Sequence, residues 1–315
     1  MSPRLRPYAP VDDLPPGEVV EVRSVDGTRL HAEVFGPRDG YPVVLAHGIT
    51  CAVRVWAHQI TDLARDHRVI AYDHRGHGRS GVPRRRGAYN LDFLAADLDA
   101  VLDATLAPGE RAVIAGHSMG GIAIQAGAQR YPARVRQCAD GVALINTTSG
   151  EILQYVDFMA VPQRLATSRV RAAGLLLKRL GAAPLLPGSI QQSRRLVSTL
   201  AVGRDADPAI ADVVFALFAA TPPPGRGGWA RVLVDAMGSR HLGADNLVVP
   251  TLVIGSRGDR LLPVAASRRI AAAVPHLASF VELSGGHCSI LERPDEVNGH
   301  LRALIDGVRA TRLSS

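Results

Sequence analysis

The chain has 315 residues, 47% of them hydrophobic, enough for one large α/β domain with an insertion or for two ordinary domains. It carries 36 basic against 29 acidic side chains, a formal net charge of +7. The positive charge is scattered arginine, with Lys178 the only lysine and no zinc-finger or RNA-binding spacing, which excludes nucleic acid as an expected partner.

Three widely spaced cysteines (Cys51, Cys138, Cys288) without a CxxC favour reduced thiols over a disulfide framework. No apolar run reaches the roughly 18 residues of a membrane span, and the N-terminal "MSPRLRPYAPVDDLPPGE" lacks an apolar core behind its arginines. The expectation is a cytoplasmic protein without an integral membrane segment.

Residues 1–17 are Pro-rich and read as an N-terminal extension. "EVVEVRSVDGTRLHAEVFG" (18–36) alternates in the manner of two strands joined around Asp26-Gly27, a hairpin signal. "PVVLAHG" (42–48) is a buried-strand run ending in glycine, and "HRVIAYDHRGHG" (67–78) is a strand to about Asp73 followed by a Gly-rich loop. In 89–106, Leu91, Leu94, Leu98, Val101 and Leu102 fall on one face of a helix. "RAVIAGHS" is the next strand, ending at Ala115, and "MGGIAIQAGAQRYP" is a helix starting near Met119 and stopped at Pro132. "DGVALINTT" (140–148) is again a strand.

Residues 149–240 then hold helical patterns broken by Pro and Gly, without a strand-like run. The strand–helix rhythm returns with "PTLVIGSRGD", "PVAASRRIAAAVP", "ASFVELSGGH" and "ERPDEVNGHLRALIDGVRA". Alternation of this kind predicts an α/β fold with a mostly parallel sheet covered on both faces. Its core is 18–148 and 241–315, and 149–240 is an insertion between two sheet strands.

Function in such sheets gathers at the carboxyl ends of the strands. There the pentad Gly116-His117-Ser118-Met119-Gly120 places a serine between a strand and a helix. A Gly-x-Ser-x-Gly match arises by accident about 0.1–0.2 times in a chain this rich in glycine, so context must decide. The context is a sharp turn that lifts the Ser118 hydroxyl from the sheet and sets the Met119 amide at a helix N-terminus. A helix-capping serine is the plainer alternative.

A serine nucleophile needs a base. Of eleven histidines, His287 ends the last predicted strand in a Gly-Gly loop. His31, His58, His67, His241, His276 and His300 sit in strand or helix contexts or beside the insertion. His47, His74, His77 and His117 precede or adjoin the serine and are expected to shape loops. The base needs a carboxylate to hold its tautomer. Asp259 ends the penultimate strand, whereas the rival position after "GVALIN" offers Asn146, Asp140 starts its strand, and Glu282 lies within one. The Met119 and Ile49 amides are the expected oxyanion donors. Cys51 and Cys288 are read as buried packing residues rather than catalytic thiols, and Trp56 as packing behind the oxyanion loop.

"AHGIT…W", "YDHRGHGRSG", "GHSMGG", "GSRGDRLLP" and "GGHCSILERPDEV" together resemble the α/β-hydrolase superfamily over nearly all of 20–310. The resemblance implies an eight-stranded, mostly parallel sheet, with 149–240 as a helical cap over the active site. "DHRGHGRSG" is similar to the corresponding loop of monoacylglycerol lipases and many actinobacterial esterases. Ile49 stands where HGGG esterases have glycine, the single-Gly oxyanion loop. Ser118 argues against dehalogenase and epoxide-hydrolase chemistry, which places Asp there. The expected activity is a serine hydrolase cleaving small-molecule carboxylic esters, without metal or organic cofactor. Thioesterase, carbon–carbon hydrolase or perhydrolase chemistry on the same triad is the alternative, and a ligand receptor on the hydrolase scaffold is a different class.

Between 152 and 203, Arg164, Arg169, Arg171, Lys178, Arg179, Arg194 and Arg195 face one acid, Asp157, and interleave with Leu165, Val170, Leu175, Leu176, Leu177 and Leu180. The expected arrangement packs the apolar side onto the sheet and leaves the arginines solvated, so substrates should be neutral and hydrophobic. Rates on short- to medium-chain esters should then change little between about 50 and 500 mM salt, since solvated charges act weakly beyond a Debye length. A steep salt-dependent loss of kcat/KM, or strong activation by anionic vesicles, would contradict this arrangement.

Overall fold

The computed structural model describes residues 13–150, 190–236 and 242–314. Eight strands form one sheet in the order β1-β2-β4-β3-β5-β6-β7-β8. They are β1 (Gly17–Arg23), β2 (Arg29–Phe35), β3 (Tyr41–Ala46), β4 (His67–Tyr72), β5 (Ala112–His117), β6 (Ala139–Ile145), β7 (Thr251–Ser256) and β8 (Leu277–Leu283). β1 and β2 form the expected hairpin, and β2 pairs antiparallel with β4. From β4 to β8 every pairing is parallel. Gly27 supplies the positive φ of the hairpin turn, +79°, and the Asp26 carboxylate accepts the Thr28 N–H at 3.1 Å.

Among the described residues the α-helices are α1 (Ala57–Leu63), α2 (Leu91–Thr105), α3 (Met119–Arg130), α4 (Pro132–Cys138), α5 (Ile190–Ala201), α6 (Pro208–Ala220), α7 (Pro223–Ala236), α8 (Val264–Ala273), α9 (Ser289–Glu292) and α10 (Pro294–Leu313). Asn90 caps α2 by accepting the Phe93 N–H. α1, α4 and the four-residue α9 are additions to the sequence reading. α1 spans too few turns for a periodic signal, and Pro132, read as a stop, occupies the first position of α4, where its missing N–H costs nothing.

The central strands are apolar throughout because both sheet faces are covered. Val43, Leu45, Val113, Ala115, Ala143 and Ile145 face α1 and α10, meeting Ile60, Leu301 and Ile305. Their alternates Val44, Ala46, Ile114, Val142 and Leu144 face α2, α3 and α8, meeting Leu98, Ile124 and Ile270. Burial of each such large side chain stabilises the fold by about 1.5–3 kcal/mol.

The described part of the segment 149–240 is helical, as α5, α6 and α7. Arg194 pairs with Asp212 across α5 and α6. Residues 1–12, and the basic and apolar positions between 152 and 189, lie outside the described residues, as does His241.

Polar side chains prop the loops beyond β3 and β4. Arg75 is fully buried: its Nε and Nη2 donate to the two Asp97 oxygens at 2.6 Å each, Nη1 donates to Asp26 at 3.0 Å and to the Ala88 carbonyl at 2.8 Å, and Nη2 donates to Ser24 Oγ at 2.8 Å. The Arg75 carbonyl accepts the Trp229 indole N–H of α7 at 3.0 Å. Beside it, His47 and His74 interlock. His74 Nε2 donates to the His47 carbonyl at 3.0 Å, and His47 Nε2 accepts the His74 N–H at 3.1 Å. His77 Nδ1 donates to the Arg75 carbonyl at 3.2 Å while its Nε2 accepts the Thr50 N–H at 2.9 Å.

His47 and His77 work as neutral bridges, one ring nitrogen donating and the other accepting, while His74 donates through Nε2. Burial drives His47 well below the usual imidazole range, His74 to about 3 and His77 to about 4. The unfolded chain therefore binds more protons below about pH 6.5, and stability falls as pH drops from there toward the folded values. Each ring contributes a slope of up to about 1.4 kcal/mol per pH unit. Asp73 and Asp97, raised by burial, oppose this in the carboxylate range. The urea midpoint at about pH 5.5 is expected below that at pH 7, and His74→Gln is expected to flatten the difference. Equal midpoints in the native protein would show that the rings do not set its acid stability.

Candidate active site

Ser118 alone separates β5 from α3. The strand continues to His117 rather than ending at Ala115, so the turn is a single residue. Ser118 adopts φ 53° and ψ −118°, a conformation that costs a non-glycine residue about 1–3 kcal/mol. The neighbours hold it there. A Cβ on Gly116 would lie 2.5 Å from the Gly120 backbone, and one on Gly120 would lie 2.0 Å from the Ala46 carbonyl oxygen. Strand and helix thus meet closer than any side chain permits, and the Ser118 N–H continues the sheet by donating to the Ile145 carbonyl at 3.0 Å.

His287 follows β8 in the Gly285-Gly286 loop, and Asp259 follows β7. The structure brings both to Ser118. Ser118 Oγ lies 2.9 Å from His287 Nε2, and His287 Nδ1 lies 2.8 Å from Asp259 Oδ2, with all three side chains buried. The other Asp259 oxygen accepts the Leu261 and Leu262 N–H groups at 2.9 and 2.8 Å. The carboxylate is thereby fixed before the imidazole meets it.

Asn146 was set aside in sequence because it is not an acid, yet it belongs to this network. Its Nδ2 donates to Asp259 Oδ2 at 3.1 Å and to Ser256 Oγ at 3.0 Å, and its Oδ1 accepts the Ser289 hydroxyl at 2.5 Å. An amide at that strand end could have been read as a donor to the acid of the next strand. Asn146 also has a positive φ, 44°, as do Thr50 at 58° and Ser118. These are the positive-φ non-glycine residues among the described residues, and they lie on three adjacent loops, after β3, β5 and β6. Backbone strain is concentrated around one hydroxyl.

The loop after β3 passes directly over the serine. A Cβ on Gly48 would lie 3.0 Å from the Ser118 Cβ and 3.1 Å from His117 Nδ1. The Thr50, Cys51 and Val53 amides are taken up by His77, the Gly48 carbonyl and Asp73. Neither the Ile49 nor the Met119 amide has an acceptor among the described residues. Met119 opens α3, so its N–H has no partner within the helix.

The remaining residues fall where the sequence put them. His117 Nε2 donates to the His287 carbonyl at 2.8 Å, and burial lowers its pKa to about 3, so it is a neutral prop under the His287 loop. Trp56 is fully buried, edge-on to His117 at 6.4 Å. Burial pushes the Cys51 thiol up to about 12 and Cys288 well above its ordinary value, which opposes a thiolate nucleophile at either position.

The arrangement is a buried hydroxyl aligned on an imidazole aligned on a fixed carboxylate, beside two backbone amides. Half of the chain is 35% identical over 158 residues to a non-heme chloroperoxidase of Streptomyces lividans, a match that spans half the length of that relative. Among solved structures, the enol-lactonase from Burkholderia xenovorans LB400 superposes with a TM-score of 0.71 at 24% identity, over 92% of this chain and all of that one. The esterase RhEst1 from Rhodococcus sp. ECU1013 superposes with a TM-score of 0.66 at 25% identity, over 92% of this chain and 99% of that one. Residues 41–294, from β3 into the start of α10, match the family model described as alpha/beta hydrolase fold, and with that span and this sheet order the chain belongs to the α/β-hydrolase family.

Proposed function

We propose that this protein is a serine hydrolase that cleaves carboxylic esters of small to medium, hydrophobic substrates through an acyl-enzyme on Ser118. One observation carries the reading: the unbroken hydrogen-bond chain from Ser118 Oγ through His287 to Asp259, at 2.9 and 2.8 Å. Esterases and a lactonase among the related structures support hydrolysis of an acyl–oxygen bond.

In this mechanism Ser118 Oγ attacks the ester carbonyl as His287 Nε2 takes the hydroxyl proton. The Ile49 and Met119 amides hold the oxyanion. The bond to the alcohol breaks as the imidazolium returns its proton to the leaving oxygen. Water, deprotonated by the same nitrogen, then releases the acid and restores the serine. Asp259 keeps the proton on His287 Nδ1 and stabilises the imidazolium without taking that proton. Each step uses groups of this chain, substrate and water. Half-buried Ile49 and Leu261, on loops beside the hydroxyl, suit an apolar acyl group.

Ser118→Ala is expected to abolish labelling by a fluorophosphonate probe and most turnover of p-nitrophenyl butyrate, leaving at most about 10³–10⁴-fold over water. Labelling that survives would assign the nucleophile elsewhere, and a wild-type protein no faster than the variant would favour a binding protein.

Asp259→Asn is expected to lower kcat about 10⁴-fold while the thermal midpoint shows that the protein remains folded. Near-native kcat would mean that another acid serves His287.

A further inference from the structure

His287 is bracketed by contacts to the helical segment, and one of them runs through a side chain. On its C-terminal side, the Cys288 N–H donates to the carbonyl of Ala201, the last residue of α5, at 3.0 Å. On its N-terminal side, the Gly286 N–H donates to Glu292 Oε2 at 2.8 Å, and the same oxygen accepts the Gly203 N–H, just beyond α5, at 3.1 Å. The backbones touch here: a Cβ on Gly286 would lie 2.3 Å from the Gly203 nitrogen. Around this contact the seam opens into a cleft of about 620 Å³ lined by Asp205, Ile210, Arg257, Arg260 and Glu292. Val202 and Ile210 of the helical segment share an apolar cluster with Cys288 and Leu291, and the Glu292 carboxylate adds a polar link between the two backbones.

Resting on the hydrolase reading above, we propose that Glu292 is a positioning residue that fastens the end of α5 to the backbone carrying His287, so that alignment of the base on Ser118 depends on the seating of this helix. The carboxylate touches neither substrate nor the reacting atoms. It acts by accepting one N–H from each side of the seam. Removing the acceptor frees Gly286 on one side and Gly203 on the other, and leaves the loop bearing the imidazole to the Cys288 and His117 hydrogen bonds and to the one its Gly285 carbonyl accepts from the Gly258 N–H at 2.9 Å. A helix displaced by substrate entry would be felt at the base through the same oxygen.

The test compares the full chain with Glu292→Ala and Glu292→Gln, whose amide oxygen can still accept both N–H groups. The first readout is the downfield proton resonance of His287 Nδ1–H, assigned by its loss in His287→Ala, and the second is amide hydrogen exchange over 199–206 and 284–288. The third is kcat for p-nitrophenyl acetate per fluorophosphonate-titrated site. Glu292→Ala is expected to shift or broaden the resonance, to raise exchange in both segments together, and to lower kcat per titrated site about 10- to 100-fold with KM little changed. Glu292→Gln is expected to restore all three. An unchanged resonance and kcat per titrated site in Glu292→Ala overturns the proposal, as does Glu292→Gln behaving like Ala. Should the Ala variant not fold, Glu292→Asp, which shortens the reach and keeps the charge, is expected to show the same changes, and native values in it overturn the proposal. If the wild type neither labels nor turns over ester, the hydrolase reading fails, while resonance and exchange still decide whether Glu292 couples the two segments.

Discussion

One residue in a costly backbone conformation joins the central strand to the helix behind it, and the site is organised around keeping it there. Ser118 at φ 53° cannot be explained by its own preferences. It is imposed by the close meeting of β3, β5 and α3, where Gly116 and Gly120 leave no room for a Cβ. Thr147 adds a bond from its hydroxyl to the Ser118 carbonyl at 2.7 Å, tying the turn to the loop after β6. A buried, tightly packed sheet can hold such strain because relaxing one turn would require shifting three elements.

Polar side chains then turn a rigid turn into a rigid constellation. The four buried histidines near Ser118 other than His287 each bridge or prop backbone groups, and burial keeps them neutral. His77 could not accept the Thr50 N–H if protonated, so its low pKa and its structural use are one property. Asp259 is held differently. Two backbone amides and the Asn146 amide surround the carboxylate, which leaves it a fixed acceptor for the imidazole. Like residue types therefore serve unlike ends, and the difference lies in which partners surround them.

The helices of 190–236 meet the sheet edge at points that matter for chemistry. Trp229 bonds the carbonyl of Arg75, the arginine whose guanidinium is locked to Asp97, and thereby reaches the loop that His77 links to Thr50. Ala201 and Gly203 reach the loop of His287. The segment is thus fastened on both the Thr50 side and the His287 side of Ser118.

Much of this could be read along the chain. Continuous apolar runs marked strands buried on both faces, the spacing of Leu94, Leu98 and Val101 marked α2, and a serine between glycines at a strand–helix junction marked the turn. Ser118, Asp259 and His287 each end or follow a predicted strand, and the order of strands and loops was enough to nominate them. α1 and Asn146 were not legible in the same way. A seven-residue helix carries too little periodicity, and an asparagine becomes a donor to Asp259 only when β6 and β7 lie side by side. Local sequence determined which groups stand at the carboxyl edge of the sheet, because periodicity and glycine placement act over a few residues. Tertiary structure alone decided which of those groups meet, that the histidines around the site are neutral bridges and props, and that Glu292 spans the seam, because hydrogen-bond partners and burial depend on strands and helices far apart in the chain.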